Sequence, residues 1–257
     1  MLDDGLACAS GEPDGLFGAI VGVDVRSIEE EEEAIAVPEQ LDGEAKTRVI
    51  TVQMPAPTSF STALDATNSR IVHLYWASLG AGVTYRLERS TCSGCGWSQI
   101  PGSVATSSAD FTADATTLPA ARLYHVIAMA SGTTDSPPSN FDYATTANQL
   151  FAETIEANGV TTIKGSHIQE LRLAIDALRS TANLGAYMPP TYETGWSNYD
   201  SPAGLVIRAT DFLSLRTALD EAVFSLFTAH LTFSGETPAV GGVIYAYQLT
   251  QLRAGVK

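Results

Sequence analysis

The sequence predicts a β + α multidomain chain: a β-sandwich followed by an all-α helical repeat region. Three observations lead there. Between positions 47 and 147, short apolar segments recur with turn residues between them, as in a two-sheet β fold. After Thr146 the apolar period lengthens from that of a strand to that of a helix. One ten-residue pattern then returns three times before the end of the chain. The expected organisation is an acidic N-terminal arm or linker over 1–46, the sandwich over 47–147 and the helical repeats over 148–257.

Bulk composition narrows the function classes. Of 257 residues, 45% are hydrophobic and only 17% charged, so a packed core is expected. Polarity comes from Thr, Ser, Ala and Gly, which suits an exported β-rich protein. The formal net charge of −15 argues against nucleic acid, whose phosphates would repel it, and against anionic membrane surfaces. No apolar run has the length of a membrane span. The opening Met1-Leu-Asp-Asp-Gly lacks the basic and apolar regions of a signal peptide. A cytosolic protein and a mature or misassigned start both fit that opening. Leu6-Ala7-Cys8 is only faintly like a lipoprotein cleavage site, because no hydrophobic segment precedes it.

In the arm, residues 16–25 are the only apolar run and would make one strand. It could pair with a sheet edge of its own chain or of a neighbouring subunit. Residues 29–33 are five consecutive glutamates. Such a run repels itself and reads as a solvated linker. A cation site would need converging ligands, which a bare run does not supply.

The sandwich strands follow from alternation. Val72, Leu74 and Trp76 share one face, and Ile71, His73 and Tyr75 the other. Tyr85 and Leu87 face together, opposite Arg86 and Glu88. Tyr124, Val126 and Ala128 line one side of the central strand. Residues 139–143 read as the closing strand, and Pro119 and Pro137-Pro138 mark turns. Ile71, Tyr75, Ile127 and Met129 point outward, so the arm, the helices or a neighbouring subunit is expected to cover them.

Trp76 in the second strand, Tyr85 opening the third, Leu118 six residues before Tyr124, and Ser136-Pro-Pro-Ser-Asn140 resemble a fibronectin type III domain over 57–146. The resemblance implies that Trp76, Tyr85, Leu118 and Tyr124 are structural core residues. It also implies that the Tyr124 ring packs inside while its hydroxyl is hydrogen-bonded at a corner. Arg122 departs from the family, which has a small polar residue there, and the strand near Phe111 is poorly patterned.

Cys92-Ser-Gly-Cys95 falls in the hairpin after the third strand, ahead of Trp97. Many bacterial fibronectin-like domains look similar there. A zinc site would need about four ligands, and no second Cys pair or nearby His pair exists. A redox motif would open a helix in a thioredoxin-like setting. A structural Cys92–Cys95 disulfide is the expectation, implying an oxidising compartment and leaving Cys8 unpaired.

The repeat begins at Ile163, Ile207 and Ile244 and ends in Leu171-Arg172, Leu215-Arg216 and Leu252-Arg253. Ser166 and Thr210 sit where N-caps are expected, and Gln169 completes a capping box. Ile168, Leu171, Ile175 and Leu178 form one helical stripe; Phe212, Leu215, Leu219, Ala222 and Leu226 form the second. Each arginine has two structural readings. It pairs with the Asp four residues on, Asp176 or Asp220, or it reaches a backbone carbonyl ahead of the next copy. These copies resemble a helical module near the ends of large bacterial cell-surface and secreted proteins, which implies context and no mechanism. The third copy is short and has Tyr247 at the cap position. It could be a terminal cap or a helix completed by another subunit. Between copies, Tyr192, Trp196 and Tyr199 could stack on sugars or cover a helix pair.

The four histidines have no metal-ligand spacing, and no nucleophile elbow, phosphate loop or dinucleotide fingerprint is present. No catalytic residue, metal or cofactor is expected. The expectation is a non-catalytic extracellular or cell-surface structural or adhesive protein of bacterial type. Its partners would be other protein subunits, including copies of itself in an oligomer, filament or surface layer. The alternative is a carbohydrate-binding accessory module that takes glycans on Tyr192, Trp196 and Tyr199.

Overall fold

Alternation of apolar and polar side chains sets the two sheets. β1 (Ser61–Leu64), β2 (Ile71–Tyr75) and β5 (Ser108–Thr112) form an antiparallel sheet in the order β1-β2-β5. β3 (Thr84–Ser90), β4 (Ser98–Gln99), β6 (Ala120–Met129) and β7 (Asp142–Thr146) form the second, in the order β4-β3-β6-β7. The computed structural model describes residues 52–65, 67–102, 104, 106–112, 118–147, 151, 153, 155, 162–188, 207–239 and 243–257. The apolar stretch 16–25, the glutamates 29–33 and Cys8 lie outside them, as do Tyr192, Trp196 and Tyr199.

Period-two patterning places one row of each strand between the sheets. Val72, Leu74 and Trp76 from one side meet Tyr85, Leu87, Tyr124, Val126 and Ala128 from the other, and Phe60 closes the end. Register agrees with this packing: Tyr85 lies opposite Ala128 and Leu87 opposite Val126, pairing large with small or branched residues.

The Pro-rich turn has its own logic. Proline cannot donate to a ladder, so the flanking serines do the bonding. The Ser136 and Ser139 amides donate to the Ala128 and Val126 carbonyls. Their hydroxyls accept from the amides of those same two residues, at 2.9 and 3.1 Å. The closing strand therefore starts at Asp142, later than alternation suggests. Residues ahead of it stitch the sheets together: the Asn140 side chain accepts from Phe60 N–H and donates to Phe60 C=O at 3.2 and 2.8 Å. Asp142 accepts from the Thr62 amide at 2.8 Å.

Among the described residues three helices follow: α1 (Gly165–Thr181), α2 (Ala209–Phe227) and α3 (Ala246–Val256). Their apolar stripes form a second cluster with outward-facing residues of the four-stranded sheet, Ala121, Leu123 and Tyr143, and with Ala147 just beyond β7. Phe227 stacks on Phe141 at 5.2 Å and leans on Tyr143 at 5.8 Å. Leu171, Leu178, Leu215, Leu219, Leu249 and Leu252 are fully buried, each worth roughly 2 kcal/mol of burial. The ends of β7 are also covered by the chain's last residues. The Thr145 amide donates to the Lys257 carbonyl at 3.1 Å and the Tyr143 hydroxyl to Gly255 at 2.5 Å. An edge strand covered in this way cannot template pairing with another chain. Residues Ile50–Lys257 accordingly make one compact unit, with the helices seated on one face of the sandwich.

Candidate interaction surfaces

The outward face of the four-stranded sheet is divided. The helices take its Ala121, Leu123 and Tyr143. Next to them, the Trp97 ring stacks on His125 with centroids 3.7 Å apart. His125 Nε2 meets Glu88 at 2.9 Å. Arg86 donates to Glu88 at 2.9 Å and to Asp135 at 2.7 Å, and its Nη1 lies 3.6 Å from Met129 Sδ. Burial under Trp97 holds the His125 pKa below its ordinary value, against the pull of Glu88. Burial pushes the Glu88 carboxyl up, yet hydrogen bonds from His125 and Arg86 win and leave it lower. Ile127 is buried here rather than wet.

Trp97 follows directly on the Cys92–Cys95 loop, whose two cysteines are disulfide-bonded with Cα atoms 5.1 Å apart. The Ser90 hydroxyl lies against the Cys92 and Gly96 carbonyls at 3.0 and 3.2 Å. Gly94 at the tip has φ +81°, a conformation that favours glycine.

The other sheet presents Ile71, His73 and Tyr75 outward. Tyr75 is 46% exposed, while Ile71 and His73 are half-buried. His73 sits between two carboxylates, Asp110 at Nδ1 (2.7 Å) and Asp65 at Nε2 (3.1 Å). The Asp110 hydrogen bond leads in raising its pKa, and Asp65 adds to it. Asp65 in turn accepts from the Thr67 and Asn68 amides at 2.8 and 2.9 Å, which fixes the turn into β2.

The three helices start alike. Their N-caps are Lys164, Arg208 and Tyr245, each directly after a repeat isoleucine. The cap amide donates to a side chain three residues on: His167 Nδ1 at 3.2 Å, Asp211 at 2.8 Å and Gln248 at 3.1 Å. Ser166 and Thr210 are thus inside the first turn, and Gln169 completes no box. Because His167 Nδ1 accepts, its proton is on Nε2, which donates to Glu153 at 3.0 Å.

The repeat arginines link one helix to the next. Arg172 of α1 donates to Asp211 of α2 at 3.0 Å, with both side chains under 10% exposed. Arg216 of α2 reaches Gln251 of α3 at 3.5 Å. Arg253 of α3 returns to the start, donating to the Glu153 carbonyl at 2.6 Å and reaching Glu170 of α1 at 3.5 Å. Arg216 also covers Phe233 and Arg253 covers Phe151, at 4.9 and 4.8 Å from the ring centres. The ring of contacts closes within the chain. Asp176 and Asp220 have other tasks, accepting the amides of Tyr187 and Leu231 at 3.5 and 2.6 Å. The signal for the aromatic covers was readable: Phe151 and Phe233 precede their repeat isoleucines by about a dozen residues, and Trp196 precedes Ile207 at the same spacing.

Trp76, Tyr85 and Tyr124 are buried in the sandwich, and the Tyr85 hydroxyl accepts the Leu79 amide at 2.7 Å. Burial pushes the Tyr124 hydroxyl up to about 12. Among the described residues that hydroxyl makes no hydrogen bond, so the corner bond implied by resemblance is not formed with them. Leu118 is not a core residue. It is 62% exposed and stands outside β6, which begins at Ala120. Leu171, Leu215 and Leu252 are buried, and Ile163, Ile207 and Ile244 pack partly buried against the helical cluster. Among the described residues, no group of three His, Cys, Asp or Glu side chains could hold a metal. No described helix is long and apolar enough to cross a membrane.

Among the described residues, then, two antiparallel sheets of three and four strands pack as a sandwich beside three helices. No protein-family model matches the chain, and no curated protein is similar to it. Solved structures similar to it are fibronectin type III-like domains. One is an Fn3-like protein from Clostridium thermocellum, at 27% identity and TM-score 0.30, covering 35% of this chain and 90% of that one. Another is the fibronectin type III domain of human fibronectin type III domain containing protein 3, at 20% identity and TM-score 0.29, covering 40% and 94%. The topology and core described above, rather than these matches, carry the fold assignment. The matches cover well under half of the chain.

Proposed function

We propose that the chain is a non-catalytic extracellular structural or adhesive protein that works by protein–protein assembly, as a filament or surface-layer subunit of a bacterial cell surface. The supporting observation is the outward face of β1-β2-β5. Tyr75 stands 46% exposed there beside half-buried Ile71. Among the described residues, helix packing is concentrated on the opposite sheet, and this face is the one that would receive a partner. Aromatic residues on an accessible flat surface are favoured contact anchors. The Cys92–Cys95 disulfide supports an oxidising compartment. The test is the mass of the purified full-length protein by light scattering and sedimentation across a wide concentration range. Association that Tyr75→Lys weakens by about tenfold or more is the expected result. A strict monomer at the highest concentration, with or without that substitution, would end the proposal.

A further inference from the structure

The Cys92–Cys95 loop does more than close a hairpin, because it grips the end of a helix from another layer of the fold. The last four carbonyls of a helix have no partner within it. In α1, the Thr181 carbonyl receives the Ser93 amide at 2.7 Å. The bond is returned in the other direction: the Asn183 side-chain amide donates to the Ser93 carbonyl. Asn183 takes the left-handed conformation that ends α1, with φ 59°. The Thr181 hydroxyl donates to the Ala121 carbonyl of β6 at 3.1 Å. The neighbouring Ala182 carbonyl is held from the other side by the Ser225 hydroxyl of α2 at 3.2 Å. The end of α1 is thus fastened between sandwich and helices, and the disulfide loop supplies one of its two jaws.

Ser93 can offer N–H and C=O together only while the four-residue loop is folded as it is. The Cys95 amide closes that loop on the Cys92 carbonyl at 3.1 Å, and the disulfide fixes its ends. Both cysteines are half-buried, not enclosed in either core.

We propose that the Cys92–Cys95 disulfide is a redox-operated latch: oxidised, it holds Ser93 on the C-terminal end of α1 and locks the helical cap to the sandwich; reduced, it releases that end. The reductant is a dithiol. One of its thiolates attacks a sulfur of the pair, giving a mixed disulfide and one free Cys thiolate. Its second thiolate displaces the other sulfur and closes the reductant's own disulfide. Two electrons and two protons thereby pass to Cys92 and Cys95, which end as thiols. The released loop keeps its place in the chain but no longer presents Ser93, and α1 frays from its last turn. The buried stripe of the helices stays in contact with Leu123 and Tyr143, so the opening is local.

Hydrogen exchange of the full chain, in a Cys8→Ser background, with and without dithiothreitol, tests this. The Ser93 amide and the amides of the last turn of α1 are expected to exchange about tenfold faster or more after reduction, while β2 and β3 do not change. Cys92→Ser with Cys95→Ser should reproduce that pattern without reductant. Asn183→Ala should reproduce it in part with the disulfide intact. Unchanged exchange at Ser93 and the α1 end overturns the latch. Acceleration of all strands together also overturns it, since the disulfide then serves general stability alone. Two free thiols in the untreated protein, read by alkylation and mass, overturn it as well.

Discussion

His73 and His125 bind protons in opposite ways, and the residues around them say why. His73 lies between Asp110 and Asp65, so the fold favours its charged form and raises its pKa above the ordinary 6.5. His125 is buried under Trp97, so burial lowers its pKa despite Glu88. The linkage signs follow. The His73 contribution is fully present below pH 6.5 and fades as pH rises through its folded value. The His125 contribution is absent above pH 6.5 and becomes a loss as pH falls through its lowered folded value. Urea midpoints between about pH 5 and 8 should separate the two. His125→Gln should remove an acid-side loss, and His73→Gln should remove a loss on the neutral side. Identical pH profiles for both variants and the parent would show that neither environment differs from the unfolded chain. The inward and outward rows of these strands were legible from alternation, since Val72, Leu74, Tyr85, Leu87, Tyr124 and Val126 all face inward. Which outward residue meets which carboxylate was not, because His73 and Asp110 are brought together only by the register of β2 on β5.

At the scale of one element, the recurring feature is the start of each helix. Reading hydroxyl residues as caps placed them at Ser166 and Thr210, two positions after the caps Lys164 and Arg208. The recurring isoleucine was the better marker, because the residue after it is the cap each time. The acceptors differ in chemistry, as His, Asp and Gln, so no single-letter pattern reveals them. Their shared property is an acceptor atom that reaches back one turn. His167→Gln should therefore keep α1 capped, whereas His167→Leu leaves a backbone donor without its partner and costs about 1 kcal/mol. Asp211 carries two burdens, the Arg208 amide and the Arg172 guanidinium. Asp211→Ala also removes a carboxylate from the buried Arg172 guanidinium and should cost about 3 kcal/mol or more. Denaturant titration of the three variants gives the order; equal losses for His167→Leu and Asp211→Ala would show that the arginine bond adds nothing to the cap. The expected bond from each arginine to a backbone carbonyl ahead of the next copy is seen for Arg253, to Glu153, whereas Arg172 and Arg216 reach side chains of the next helix, Asp211 and Gln251. The closure from Arg253 back to Glu153 and Glu170 was not legible, since that contact spans most of the helical region.

For Ile50–Lys257 as a whole, the question is whether sandwich and helices unfold together. β6 faces both ways: Tyr124, Val126 and Ala128 belong to the sandwich core, while Ala121 and Leu123 belong to the helical one. Asp142 ties β1, β7 and the residue after α3 together, accepting from Thr62 at 2.8 Å and from Lys257 Nζ at 2.6 Å. Loss of the helices would bare Leu123, Tyr143 and Ala147 and uncover the edge of β7, so the sandwich would lose apolar burial and edge protection at once. Loss of the sandwich would open the helical cluster on the same side. A shared strand with two buried faces leaves little room for one half to melt alone. In a Trp196→Phe background, the two remaining tryptophans, Trp76 and Trp97, both report on the sandwich. Their fluorescence and the helical circular dichroism should then give coincident urea transitions, as two-state unfolding requires. Helical signal lost at lower urea than fluorescence would mean that the contacts through β6, β7 and Lys257 do not couple the two halves.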